Sequence, residues 1–302
     1  MANQQTLKNI VLFKQGSLPT ATEVITLDGL VFVNPKVAGG EYEDIGNGQL
    51  GNKKSFVDPN NVTAEFDIPV IGRGGGAAGT APKFAELLKS CGLSETITAS
   101  TKVEYKPGGS LSPSQSKVFT DGYSRAITGI ICDMSISGKV GDLTRFKFSA
   151  KGYTTANSSA EANPSVTLDT ANAPVVSTAS IFTLAGGTIN ISEFEFMLGN
   201  IIQSNYAIAQ KEFYLENFDA SIRIKAIKTK GNEAHWDDLL AGNVKAIVIT
   251  VGATAGQIIQ IDIPYAKPKE VSESDQSGIV VYDQTFRCQS SAGNDNFTLT
   301  FK

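Results

Sequence analysis

Residues 62–107 constrain the fold of this chain more than any other stretch. Val62, Ala64, Phe66, Ile68 and Val70 alternate with Thr63, Glu65 and Asp67, the period-two pattern of a strand with one buried face. A glycine-rich turn follows, Gly72-Arg-Gly-Gly-Gly-Ala-Ala-Gly-Thr80, and then Pro82 and Gly92 bracket a short segment. Proline suits a first helical position and glycine the left-handed residue that closes a helix. Between them Phe84, Leu87, Leu88 and Cys91 share one helical face, so the spacing predicts a helix lying on a sheet. Alternation returns from Ile97 to Tyr105 and stops at Lys106-Pro107-Gly108. The unit is built for packing and holds no catalytic constellation.

Elsewhere the chain reads as strand and turn. With 29 glycines in 302 residues, many Thr, Val and Ile, and two short helices, the composition predicts a mainly β protein. This length is enough for two domains with cores of their own. Residues 22–33 read as strand around Asp28-Gly29, and 123–152 supply more strands, with Phe146, Phe148 and Ala150 alternating against Arg145, Lys147 and Lys151. Residues 34–61 are rich in Gly, Asn, Pro and charge, and predict a long irregular loop. Residues 154–174 are the least apolar part and read as a linker. The expected organisation is therefore a first module over 1–153, a linker over 154–174 and a second module over 175–302.

The second half repeats features of the first. Asn232 is placed to cap a helix in which Trp236, Leu239 and Leu240 copy the spacing of Phe84, Leu87 and Leu88, and Gly242 stands where Gly92 does. Gly141-Asp142 before Leu143–Phe148 corresponds to Gly293-Asn294 before Phe297–Phe301 at the same spacing of half the chain. This predicts an internal duplication, with convergence of two generic sheet-plus-helix units as the alternative.

Several chemistries are weighed and set aside. Gly72-Arg-Gly74-Gly-Gly-Ala77 formally matches a dinucleotide fingerprint, but Pro82 starts the helix too late and antiparallel strands follow. The same glycines lack the lysine of a phosphate-binding loop; they suit a flexible turn or a close approach to a neighbouring subunit. His235 is the only histidine, so a metal or catalytic role has no second ligand or base. Asp237 and Asp238 suit a helix start, and Glu41, Glu43 and Asp44 are loop acids. Cys91, Cys132 and Cys288 are too few and scattered for a framework and read as buried thiols, with a pairing between subunits left open. No G-x-S-x-G is present. The expectation is no enzyme, no cofactor, no metal and no catalytic residue. Net charge is −4, so stable nucleic-acid binding is disfavoured; no apolar run reaches membrane-spanning length, and Met-Ala-Asn-Gln-Gln-Thr does not begin a signal peptide.

The run Gly79-Thr80-Ala81-Pro82, Leu87-Leu88, Cys91-Gly92-Leu93-Ser94-Glu95-Thr96 and Val103-Glu-Tyr105-Lys-Pro107 resembles the tail tube (major tail) proteins of tailed bacteriophages. Ile127-Thr-Gly129, Leu143–Gly152 and Ala292–Phe301 extend the likeness along nearly the whole chain. The serine-rich 108–117 departs from the family's shorter stretch. The resemblance implies tail-tube-like β-sandwich or β-barrel modules, each with a short α-helix on its sheet, and a virion structural protein assembled in the host cytoplasm. It implies rings stacked into a conduit for genome ejection, a tape measure protein inside, terminator and tip proteins at the ends, and DNA passing without stable binding. Two modules per chain would make the ring a trimer, with six chains as the alternative, and point by analogy to a non-contractile, siphovirus-type tail. The 34–61 loop is expected to reach the next ring. Residues 1–151 carry a net +2 and residues 152–302 a net −6; unlike modules could alternate around a ring, or the difference is surface drift. The competing expectation is a β-sandwich module that binds a carbohydrate or receptor on a virion or cell surface.

Overall fold

A computed structural model of the protein describes residues 8–43, 53–155, 158–177, 180–208, 210–228 and 235–302. In chain order its elements are β1 (Asn9–Gln15), β2 (Val24–Ile25), β3 (Asn34–Glu43), β4 (Lys53–Ile71), α1 (Ala85–Ser90), β5 (Leu93–Thr98), β6 (Lys102–Pro107), β7 (Ser114–Thr120), β8 (Tyr123–Lys139) and β9 (Arg145–Thr154). Then come β10 (Ser159–Ala160), β11 (Ile181–Leu184), β12 (Gly187–Thr188), β13 (Ile191–Met197), β14 (Asn200–Ala207), β15 (Gln210–Phe218), β16 (Ser221–Ile227), α2 (His235–Ala241), β17 (Lys245–Val251), β18 (Ile259–Gln276), β19 (Ile279–Cys288) and β20 (Thr298–Phe301). The protein is mainly β, as composition predicts. All strands except the β14–β15 hairpin join one connected antiparallel sheet.

Period two explains the strands directly. Val62, Ala64, Phe66, Ile68 and Val70 of β4 are buried while Glu65 and Asp67 are exposed. Phe146, Phe148 and Ala150 of β9 pair with Val70, Ile68 and Phe66 of β4 and bury on the same side. The helix at 85–90 begins later than Pro82, which accepts a turn bond from Ala85, and Gly92 closes it at φ +82 as expected.

Two long strands organise the sheet. β8 pairs β7 with its first residues, β9 over the rest, and β13 at its end. β18 pairs β17 and β20 at its start and β19 beyond Ala266. The resulting strand order is β3–β4–β9–β8–β13–β16–β19–β18, every neighbour antiparallel. A second course runs β5–β6–β20–β18–β17–β11–β12. The halves of the chain therefore join twice, at β8–β13 and at β6–β20. They also share one hydrophobic core rather than the two expected: Phe84 meets Phe301 edge-on at 5.8 Å, and a single buried cluster holds side chains from both halves.

Three expectations change. Residues 34–61 are not an irregular loop in their described part, because β3 and β4 pair from Asn34–Glu65 out to Glu43–Lys53 as a hairpin arm; Asp44 and the tip lie outside the described residues. Residues 28–33 do not form a regular strand; only β2 and the Leu27–Val70 bridge remain of it. Residues 154–174 are tied to the first half: Glu161 ion-pairs with Lys117 at 2.6 Å, and the Asp169 amide donates to Thr26 Oγ1 at 2.8 Å. The spacing of the repeat is also not that of the strand order. β9 lies between β4 and β8, whereas β20, its counterpart by spacing, lies between β6 and β18.

The second helix carries the last correction. Its bounds and closing glycine stand at matching places, but this register sets Leu240 where Ser90 is and Asp238 where Leu88 is. Leu240 is 84 % exposed and Trp236 42 % exposed, while Ser90 is fully buried. α2 thus does not bury the apolar face that the spacing predicts. Asp238 turns inward instead, held by Lys245 and Asn243. Asn232 lies outside the described residues.

Candidate functional surface

The residues weighed for chemistry do not converge. Gly74 faces the other half of the same chain: a Cβ there would stand 1.9 Å from the Gly256 carbonyl oxygen, and the Gly76 amide donates to that oxygen at 3.3 Å. The neighbour expected for this glycine loop is intramolecular. Arg73 reaches out of the same loop to the Asp169 carbonyl. Cys91, Cys132 and Cys288 are buried and free; burial pushes the thiols of Cys132 and Cys288 up to about 12 and raises that of Cys91 well above the usual thiol range, which suppresses the reactive thiolate. His235 starts α2, Asp237 is exposed beside it, and Glu41 pairs with Lys53 across the arm at 3.7 Å. Among the described residues no three His, Cys, Asp or Glu side chains gather as a metal site, and no helix is long and apolar enough to cross a membrane.

One surface does stand out, the outer face of the β4–β9–β8–β13–β16–β19 sheet. Residues opposite the core side chains on these strands are mostly polar, Met197 and Ile227 being exceptions, and their charges alternate along its rows. In one row Lys139, Glu193, Lys225 and Asp283 lie side by side. In the next, Arg145, Ser137, Glu195, Arg223 and Thr285 do. Asp67 meets Lys147 at 2.8 Å and Glu65 meets Lys151 at 3.3 Å. Arg145 reaches Asp28 at 2.8 Å and Asp142 at 2.5 Å, and Arg287 reaches Asp219 at 2.6 Å. Opposite charges facing across strands stabilise a sheet by a few tenths of a kcal/mol each.

These contacts set the protonation behaviour of the face. Partial burial pushes the Asp67 carboxyl up, but the bonds from Lys147 and Ser149 outweigh it and hold the group below the usual carboxylate range. Asp142 and Asp28 raise the Arg145 guanidinium further. Burial raises the Asp133 carboxyl, which accepts the Asn200 amide at 2.9 Å. The face is thus internally compensated, with acids and bases in near-equal number. Such a surface presents little net field to a polyanion.

The lateral edges of this sheet are unpaired among the described residues. β3 pairs only β4, and β18 beyond Ala266 pairs only β19. With an even number of strands in strict alternation, the two edge strands run in opposite directions, so β18 of one copy fits antiparallel beside β3 of another. Unpaired edges are templates for strand addition. The sequence carried one sign of this face, the alternating cations of β9. The acids of β13 and the cations of β16 repeat at the same two-residue step, but their placement in one row needed the β8–β13 pairing.

No protein-family model matches the chain, and no curated protein matches it.

Proposed function

We propose that this protein is the structural subunit of a bacteriophage tail tube, self-assembling edge to edge into rings that stack as the conduit for genome delivery. The observation that carries the reading is the antiparallel sheet spanning both halves, with a compensated polar face and two open edges of opposite direction. Three such sheets give about 24 strands; at about 4.8 Å between strands and a tilt of about 40° they close a barrel roughly 45–50 Å across. Six copies would double that width; the ring proposed here has three chains. Closure removes the edges, and contacts of this head-to-tail kind close by rotation.

Each half then serves as one tube module with its helix, and the hairpin arm as an assembly element. The polar face lines the lumen, where it meets a tape measure protein during assembly and DNA during ejection. Terminator and tip proteins bound the tube, and the subunit does no bond chemistry. The deciding experiment is electron cryomicroscopy of the concentrated protein with rotational classification. Stacked rings of three chains are expected. Dispersed monomers at every concentration would defeat the reading and leave a β-sandwich carbohydrate or receptor binder in its place.

A further inference from the structure

The two helices occupy matching places in the chain but differ in what covers them. Beyond α1, the Asn200 side-chain amide donates to the carbonyls of Cys91 and Cys132, both at 2.9 Å. Leu215 lies against Gly92, where an added Cβ would stand 3.1 Å from its Cδ2. Asn200 and Leu215 belong to the β14–β15 hairpin, which continues from β13 just where β13 leaves the edge of β8. So at the junction inside the chain, one strand adds to an edge and the hairpin beyond it seals the end of the neighbouring helix.

The other helix meets an edge too. α2 flanks β18: Trp236 Nε1 donates to Glu273 at 3.0 Å, and Gly242 lies against Lys267. Along the sheet order, β18 stands at the end of the second half as β8 stands at the end of the first, and β3 leads its half as β13 does. β3 likewise runs on into a hairpin, the β3–β4 arm. That arm exposes Val37 (43 %) and Val57 (69 %), as α2 exposes Leu240. Among the described residues no further strand pairs with β3 or with the outer edge of β18.

We propose that the partner of the α2 surface is the β3–β4 arm of a second copy in the same ring: β3 adds to the outer edge of β18, and the arm beyond it covers Leu240 and the end of α2. The inference rests on the tube reading and deepens it, because it assigns the arm to the ring neighbour, where sequence alone had assigned it to the next ring. The argument is continuity with a contact the chain already makes. The β8–β13 junction is a working example of the same geometry, and apolar side chains lie open on both of the surfaces that would meet.

The test uses the full-length chain and two substitutions, Leu240→Asp on α2 and Val57→Asp on the arm, with Ile97→Asp on the exposed part of β5 as control. Both altered residues are open in the single chain, so the thermal midpoint of each monomer is expected to stay within a few degrees of the parent. Sedimentation and electron microscopy should then show rings and tubes for the parent and for Ile97→Asp, and only folded monomers for Leu240→Asp and Val57→Asp. Closed single rings that no longer stack in Val57→Asp would overturn the inference and return the arm to the next ring. Normal tubes from both variants would overturn it while leaving the tube intact. A parent that never assembles would defeat the tube reading itself.

Discussion

The ring of Phe301 stands edge-on to that of Tyr105, centroids 5.8 Å apart and planes at 87°. The contact joins the last strand of the chain to the first half, because β20 is inserted between β6 and β18. Phe301 also touches Phe84 and Phe146, so one terminal side chain closes the aromatic core on α1 and β9. Phe301→Ala removes a buried ring from a site with little room to collapse, and should cost about 3–5 kcal/mol. Because the core is shared, denaturant unfolding should remain a single transition followed by fluorescence and circular dichroism alike. Separate transitions for the halves would show that they fold independently.

The glycine loop gives a sharper test of the same joint. Gly74 approaches Gly256 so closely that no Cβ fits, since the nearest atoms are backbone and cannot rotate away. Gly74→Ala should therefore force the two loops apart and destabilise by more than the 1–3 kcal/mol typical of overpacking. Gly76→Ala nearby has open space around its Cβ and a φ of +83, so it should show only the smaller cost of a strained left-handed residue. Equal effects of the two changes, measured as shifts in the denaturation midpoint, would argue against a tight joint.

How much of this was legible in the sequence follows from what each signal depends on. Strands β4 and β9 were readable because burial on one face writes a period of two into the residues themselves. The closing glycines Gly92 and Gly242 were readable because a left-handed φ selects glycine. The β3–β4 arm was not, since a hairpin outside the core has no buried face to enforce alternation: Val57 and Phe56 stand exposed in succession. The register of the second helix was misread for a related reason. Trp236 and Leu240 have helical spacing but lie on an open surface, and the buried position went to Asp238, whose charge is met by Lys245. Which strands flank β8 is a long-range choice that local pattern does not encode, and the polar face was hidden with it.

A pH effect follows from Glu23. Its carboxylate accepts bonds from Lys14 Nζ at 2.8 Å and from the Thr20 amide at 2.6 Å. The Lys14 and Thr20 bonds lower its pKa from 4.5 to about 2. A depressed carboxylate stabilises the fold above its unfolded pKa and loses that contribution as pH falls through the folded one. The pair lies partly buried at the surface, where solvent still screens it, so the contribution is discounted to about 1 kcal/mol. Glu23→Gln should thus lower stability by that amount at pH 7, with the difference from the parent shrinking between pH 4.5 and 2. A difference that stays constant over this window would assign the effect to packing rather than ionisation.

The compensated face makes the last prediction, on DNA. Glu193 sits across from Lys139 and Lys225, and Glu195 across from Ser137 and Arg223. Replacing both acids with lysine turns these rows into runs of like charge, which should cost about 1 kcal/mol of stability. It also converts a neutralised face into a cationic one. Phosphate binding through added lysines depends on counterion release, so the variant should retain duplex DNA at low salt and release it steeply as salt rises. The parent should bind DNA weakly at both salt concentrations. Fluorescence anisotropy with a labelled duplex at two salt concentrations reads the difference. Binding by the parent as tight as by the Glu193→Lys/Glu195→Lys variant would mean that the rows of alternating charge do not set the field of this face, and would remove the physical basis for placing it around passing DNA.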